Sequence, residues 1–333
     1  MGRRIWTATA ALLLMLGLAL PAWAQTPEAL VPVGRTVGLE METDGVYISD
    51  FDSREQDSPA KAAGLRVGDR ILTADGRRLE NAEALRALVA RSGGAPIILG
   101  IRRGDRAMSF TVRPQAAGSS WRLGLYLRDR VAGLGTVTFY DPGTGLFGAL
   151  GHGVSESDGV LLELRSGRAT ETAVAEIQRG VSGTPGALLG PTGGGTLIGE
   201  ILQNTDRGIF GQGIGGLLDG TPVPLAPREE VTPGPAEIWS SVAGAEPERY
   251  SVEIEAVRLD NARCRDLRIR VTDPRLLEAT GGIVQGMSGS PILQKGKLVG
   301  AVTHVLIQDP TRGYGILIGH MLEAAEGQRL RAA

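Results

Sequence analysis

Residues 281–305 read GGIVQGMSGSPILQKGKLVGAVTHV. At the centre, Gly286-Met287-Ser288-Gly289-Ser290-Pro291 sets a serine among small residues, between two apolar runs of β character. Glycine at 286 accepts backbone angles that side chains resist, and the small residues around it predict a tight turn between two strands. Either this is only a turn in a glycine-rich protein, or it presents Ser288 as a nucleophile. A serine hydroxyl is weak until a neighbouring base takes its proton, so the second reading needs a partner from elsewhere in the chain.

Three histidines are available. His152 stands in GALGHGVSESDG, at the end of an apolar run and between Gly151 and Gly153, which makes it the candidate base. A histidine in such a place is also often no more than a surface loop residue. His304 in GAVTHVL and His320 near the C-terminus lie in strand-like and helix-like runs and read as structural. A third member would be a carboxylate that orients the imidazole. Asp273, in RVTDPRLLEATGG, ends a strand before Pro274 and is a candidate, although aspartates often occupy turns for their local hydrogen bonds. The backbone N–H groups of Gly286 and Ser288 would converge on the oxygen that becomes negative during acyl transfer, at roughly 3 kcal/mol per donor.

Other chemistries fit less well. The chain has three lysines, and Lys295 and Lys297 flank Gly296 in a hairpin tip too wet for a lysine base, while Lys61 lies far away in sequence. The single cysteine, Cys264, sits in the polar run NARCRDLRIR and excludes an internal disulfide. No phosphate-binding G-x-x-x-x-G-K-[ST] loop and no cluster of metal-ligating side chains occurs, so neither a cofactor nor a metal is expected. Basic residues number 35 and acidic residues 37, a balance that offers no field for nucleic acid.

Glycine makes up 49 of the 333 residues and aromatics only 4%, which favours short strands and tight turns. The start, MGRRIWTATAALLLMLGLALPAWAQTP, has a basic beginning, an apolar stretch over 8–20 and a small-x-small site at Ala22-Trp23-Ala24. Residues 1–24 are therefore expected to be a signal peptide, too short in its apolar part for a lasting membrane span.

Between 34 and 114 the pattern is that of a compact α+β domain. Ser58-Pro59 begins a short helix that Gly64 can end, and Asn81 caps a second with Leu85, Leu88 and Val89 on one face. PIILGIRRGDRAMSFTV predicts two strands around Arg103-Gly104-Asp105. The run SPAKAAGLRVGDRILTADG resembles bacterial PDZ domains. That resemblance implies peptide binding as an added strand, with the carboxylate loop at Thr36-Val37-Gly38-Leu39. From 115 to 333 short apolar runs separated by glycine predict antiparallel barrels, with alternation clearest over 251–257. PVPLAPREEVTPGPAE predicts a surface connection.

GMSGSP resembles the nucleophile turn of chymotrypsin-like proteases, and GKLVGAVTH the strand lining their specificity pocket, which would turn Thr303 and His304 towards substrate. Together with GTVTFYDPGTGLFGALGHGV and the rest of 282–316, these motifs resemble the sporulation stage IV protein B (SpoIVB) peptidase family. The resemblance implies a mainly β fold, a chymotrypsin-like double β-barrel preceded by a PDZ domain. It places the family's histidine on His152, its serine on Ser288 and its aspartate on Asp273. It further implies an exported signalling peptidase acting between the two membranes around the forespore. Its partners would be a membrane-tethered regulator of an intramembrane metalloprotease and, by autoproteolysis, the peptidase itself. Two other readings compete: a noncatalytic PDZ adaptor and a general secreted quality-control protease.

Overall fold

In a computed structural model of the chain, residues 27–52, 58–155, 159–214, 216–258 and 265–332 are described, with side chains up to residue 326. The expected signal peptide and Cys264 lie outside the described residues.

Two 16-residue strands, Thr36–Phe51 and Leu125–Tyr140, organise the N-terminal half. They pair antiparallel twice, 36–42 with 130–136 and then 47–51 with 125–128, and the register breaks between Glu42 and Tyr47. Gly45 in that break has a φ of 93°, and a Cβ there would lie 2.9 Å from the Ile71 carbonyl oxygen. The barrel-side parts of these strands close a ring with Leu164–Glu171, Leu197–Thr205, Gly208–Gly213 and Leu146–Ala149. Alternation turns Val37, Leu39 and Met41 into its core beside Val137, Phe147 and Ile209.

The far parts of the two long strands carry the PDZ-like unit. Arg70–Ala74, Ile97–Arg103 and Arg106–Val112 extend the same sheet. The Ser58 hydroxyl oxygen accepts from Lys61 N (3.3 Å) at the head of helix Pro59–Ala62, and the Asn81 side chain accepts from Ala84 N (2.8 Å) at the head of Ala82–Arg91. Leu85 and Val89 are buried, with Leu88 packed against the same cluster. The Gly68-Asp69 turn also holds an ion pair: buried Asp69 accepts from Arg103 Nε (2.6 Å) and Nη2 (2.7 Å) and from Arg66 N (2.8 Å).

This topology corrects two expectations. The PDZ-like unit does not precede the barrels over 34–114; it is inserted between two strands of the first barrel, which the chain enters before residue 44 and rejoins at Arg130. Thr36-Val37-Gly38-Leu39 is not a peptide-binding loop. Val37, Gly38 and Leu39 are paired on both sides, with 133–135 and 169–171, so no edge is free for another strand. Thr36 pairs with Thr136 and donates from Oγ1 to Ser241 O (3.0 Å).

A second, closed barrel runs Gly234–Ser240, Glu248–Val257, Leu267–Val271, Asp309–Leu317, Lys297–Leu306 and Pro291–Gln294. Tyr250, Val252 and Ile254 point inward and Ser251 outward, as the alternation predicts. The expected surface connection is shorter than its prolines suggest, because from Gly234 onward it is already the first strand of this barrel. The C-terminal helix Ile318–Ala332 lies across both barrels, packing Ile318, Met321, Leu322 and Ala325 against Leu30, Phe139 and Phe210 of one and Ala301 and Ile316 of the other.

Candidate active site

The predicted turn at 286–290 leads into the strand Pro291–Gln294. Gly286 and Gly289 both have a φ of 96°. A Cβ on Gly289 would lie 2.0 Å from Thr136 O and 2.6 Å from Leu150 N, so the first barrel presses directly on the residue after the serine. Gly289 N donates to Val302 O (2.8 Å), Ser290 N to Met287 O (3.0 Å) and Met287 N to Val284 O (3.2 Å). Gly286 N and Ser288 N donate to no backbone carbonyl among the described residues, which leaves them for a ligand. Gln285 O accepts from Leu188 N (2.8 Å), and because the peptide is trans, the Gly286 N–H points the opposite way.

His152 is reached by a sharp bend after Leu146–Ala149. Leu150 has a φ of 67° and Gly151 one of 68°. A left-handed leucine costs about 1–2 kcal/mol, strain of the kind that collects at functional sites. The bend turns the chain towards the second barrel: a Cβ on Gly151 would lie 2.9 Å from Thr303 Cγ2 and 3.0 Å from Ile316 Cγ2. On the other side, a Cβ on Gly153 would lie 2.2 Å from Leu161 Cδ2 and 2.4 Å from Thr205 O. The two glycines flanking His152 are thus required by contact on both faces, a stronger reason than an uncrowded imidazole.

The serine turn and the histidine loop meet at two threonines. Thr136 N donates to Ser288 O (2.9 Å), and Thr136 O accepts from Leu150 N (3.2 Å), two residues before His152. Ser288 Oγ donates to Thr303 O (3.0 Å), and Thr303 is the residue touching Gly151. The next residue, His304, stacks obliquely on His152 with ring centroids 5.1 Å apart. Ser288, His152, Thr303 and His304 therefore belong to one site.

Both imidazoles are kept neutral. Burial lowers the pKa of His152 below its ordinary value, opposed by its bond to the Gly153 carbonyl. Burial first, then nearby His152 and Arg265, push His304 down to about 4. His152 Nδ1 lies 2.9 Å from Gly153 O. A carbonyl only accepts, so the proton sits on Nδ1 and the Nε2 lone pair is free to take another.

Asp273 is not brought to His152. Its carboxylate caps the helix Pro274–Thr280, accepting from Arg275 N (3.0 Å), Arg275 Nε (3.2 Å), Arg275 Nη2 (3.1 Å) and Ser251 N (3.2 Å). The Arg275 side chain holds its pKa below the usual carboxylate range, against the effect of burial. The third histidine is likewise engaged locally, with His320 Nδ1 2.8 Å from Oδ2 of fully buried Asp266, which accepts from Leu317 N as well (2.9 Å).

In the PDZ-like unit a second apolar-Gly-apolar run occurs at Leu123-Gly124-Leu125, where Gly124 O accepts from Asp52 N (3.1 Å) and Leu123 O from Ala60 N (3.0 Å). Residues 125–128 pair with 47–51. Beside this strand stands the helix Ala82–Arg91, tied to it by Ala82 N donating to Asp129 Oδ2 (2.7 Å). Sequence reading missed this segment because Val37-Gly38-Leu39 has the same pattern and precedes the domain.

The profile of the SpoIVB peptidase S55 family matches residues 119–322, and a PDZ-domain profile matches 52–103. A Bartonella henselae protein named as a zinc metalloprotease is 32% identical over 80 residues, 24% of this chain and 22% of its own length. One of the same description from Nostoc sp. is 42% identical over 87 residues, 24% of each chain. The chain thus spans less than a quarter of the length of these curated relatives. Among solved structures, the PDZ domain of the SdrC-like protein of Listeria monocytogenes is similar over 26% of this chain and 90% of its own, at 24% identity and a TM-score of 0.23. The Rv3671c protease of M. tuberculosis is similar over 60% of this chain and 81% of its own, at 13% identity and a TM-score of 0.33. The peptidase profile covers more than half of the chain and includes both His152 and Ser288: the chain belongs to the SpoIVB peptidase S55 family and carries a PDZ domain.

Proposed function

We propose that this peptidase is an exported endopeptidase in which His152 is the base and Ser288 the nucleophile. The observation that carries this reading is the meeting of their two loops at Thr136 and Thr303. Ser288 Oγ leaves the Thr303 carbonyl and adds to the carbonyl carbon of the scissile bond, while its proton passes to His152 Nε2. The oxygen that becomes negative accepts from the N–H groups of Gly286 and Ser288. The C–N bond then breaks and the proton on His152 goes to the departing amine. Water attacks the acyl ester, gives a proton to His152, and the acid product leaves as Ser288 regains its hydrogen. The Gly153 carbonyl fixes the tautomer of His152, a role that an aspartate fills in a Ser-His-Asp triad. Thr303 and His304 form the wall along which substrate backbone lies.

The PDZ-like unit would receive a peptide as an added strand. Family membership supports a sporulation role: cleavage of a membrane-tethered regulator of an intramembrane metalloprotease, and of the peptidase itself, in the space between the forespore membranes. Purified protein lacking 1–24 tests this. Self-shortening and fluorophosphonate labelling, both abolished by Ser288→Ala, are expected, with few cuts in unfolded casein. Equal behaviour of wild type and Ser288→Ala would end the nucleophile assignment, and broad casein degradation would favour a quality-control protease.

A further inference from the structure

Thr136 lies on the first-barrel side of the cleft, fully buried, and is neither nucleophile nor base. Its three polar groups reach the serine turn and the bend that leads to His152. The N–H donates to Ser288 O (2.9 Å), the carbonyl accepts from Leu150 N (3.2 Å), and Oγ1 donates to Gly286 O (2.8 Å). Two residues on, Thr138 Oγ1 donates to Gly289 O (2.8 Å), so the strand Leu125–Tyr140 holds the nucleophile turn at three carbonyls: Gly286, Ser288 and Gly289.

Gly286 is the weak point of that turn. A glycine at a φ of 96° has no side chain to restrict its rotation, so bonds to neighbours must set the directions of its peptide groups. Leu188 N fixes the peptide before it by holding Gln285 O. Only the Thr136 hydroxyl holds the carbonyl of Gly286 among the described residues. We infer that Thr136 is a positioning residue for the peptidase reaction: its hydroxyl sets the orientation of Gly286 and so keeps the oxyanion-binding N–H groups in register with Ser288 and the His152 loop. This rests on Ser288 being the nucleophile. A hydroxyl is needed because a backbone donor is already spent on Ser288 O, and a methyl in its place would leave a buried carbonyl unpaired.

The test compares Thr136→Val, which keeps shape and removes the donor, with Thr136→Ser, which keeps the donor. The readouts are the rate of fluorophosphonate acylation and the separate kcat and KM for a fluorogenic peptide, with thermal melting as the control for folding. Thr136→Val is expected to lower acylation and kcat about 10–100-fold with KM within about twofold, since small misplacement at the reacting centre has effects of that size. Thr136→Ser is expected to stay within about threefold of wild type. Should Thr136→Val fail to fold, Thr136→Ala serves in its place. Acylation by either donor-free variant within about twofold of wild type overturns the inference, as does an equal loss in folded Thr136→Ser, which would assign the effect to the methyl. Ser288→Ala separates the two claims: if that variant is still acylated and active, the nucleophile reading falls; if it is inert while Thr136→Val acylates normally, only the role of Thr136 falls.

Discussion

Two turns, one after Leu146–Ala149 and one after Leu267–Val271, each present a polar side chain that a serine peptidase could use, and they behave in opposite ways. Around His152 the local bonds are few: two left-handed residues throw the loop across to Thr303, and the imidazole has one backbone carbonyl and one neighbouring ring. Around Asp273 the local bonds are many, and Arg275 and Ser251 engage both carboxylate oxygens. A charged group saturated by its own turn has little left to offer a distant partner. The strained, underfurnished loop is the one that reaches the cleft.

The largest expected effects sharpen this contrast. Ser288→Ala and His152→Ala should each lower kcat about 10⁴–10⁶-fold, measured on a fluorogenic peptide, with melting temperatures close to wild type. Gly289→Ala should be nearly as damaging for another reason, since the added Cβ falls 2.0 Å from Thr136 O. Chemical denaturation should show a loss of about 3 kcal/mol or more, in keeping with severe overpacking.

Asp273→Asn is the variant that could break the contrast. It keeps a capping side chain but loses the charge paired with Arg275, so a kcat within about tenfold of wild type and a loss of about 1 kcal/mol are expected. A loss of kcat as deep as that of His152→Ala would instead make Asp273 the third member of a triad that assembles only with substrate.

The smallest effects concern pH. His152 is neutral when it acts as base and its pKa is lowered by burial, so kcat/KM should hold down through the ordinary imidazole range and fall only below it. The sign for stability is the same. Because the folded pKa of His304 is depressed to about 4, its contribution is present above about pH 6.5 and lost as pH falls towards 4. Urea midpoints at pH 7 and pH 4.5 should therefore differ more for wild type than for His304→Gln.

Much of the candidate site's shape was legible because close contact forces local pattern. The small residues around Ser288 are demanded by a turn with two left-handed glycines and a barrel wall 2.0 Å from a would-be Cβ, and such crowding leaves a mark in sequence. The glycines flanking His152, the caps Ser58 and Asn81, and the alternation through Tyr250, Val252 and Ile254 are legible for the same reason. What stayed hidden depends on pairing between distant segments. Val37-Gly38-Leu39 and Leu123-Gly124-Leu125 carry the same local pattern, and only the partners of each strand decide which is sealed in a barrel and which belongs to the PDZ-like unit. Thr136 was invisible too, since nothing local marks a threonine whose hydroxyl is bonded 150 residues away.

Glu42 and Arg130 are register partners on adjacent strands and form an ion pair at 3.1 Å. The PDZ-like unit grows from what would otherwise be the tip of a plain hairpin, with further bonds to 163–165 at its side. A two-residue Asn-Gly link from 42 to 130 matches the geometry such a tip prefers. Excising the PDZ-like unit there should keep the first barrel's ring of strands and sacrifice only bonds at its rim, where Arg70 pairs with Glu163 (2.5 Å) and Arg165 donates to Glu80 O (2.6 Å), so that the inserted unit and the barrels can be studied, or recombined, as separate parts.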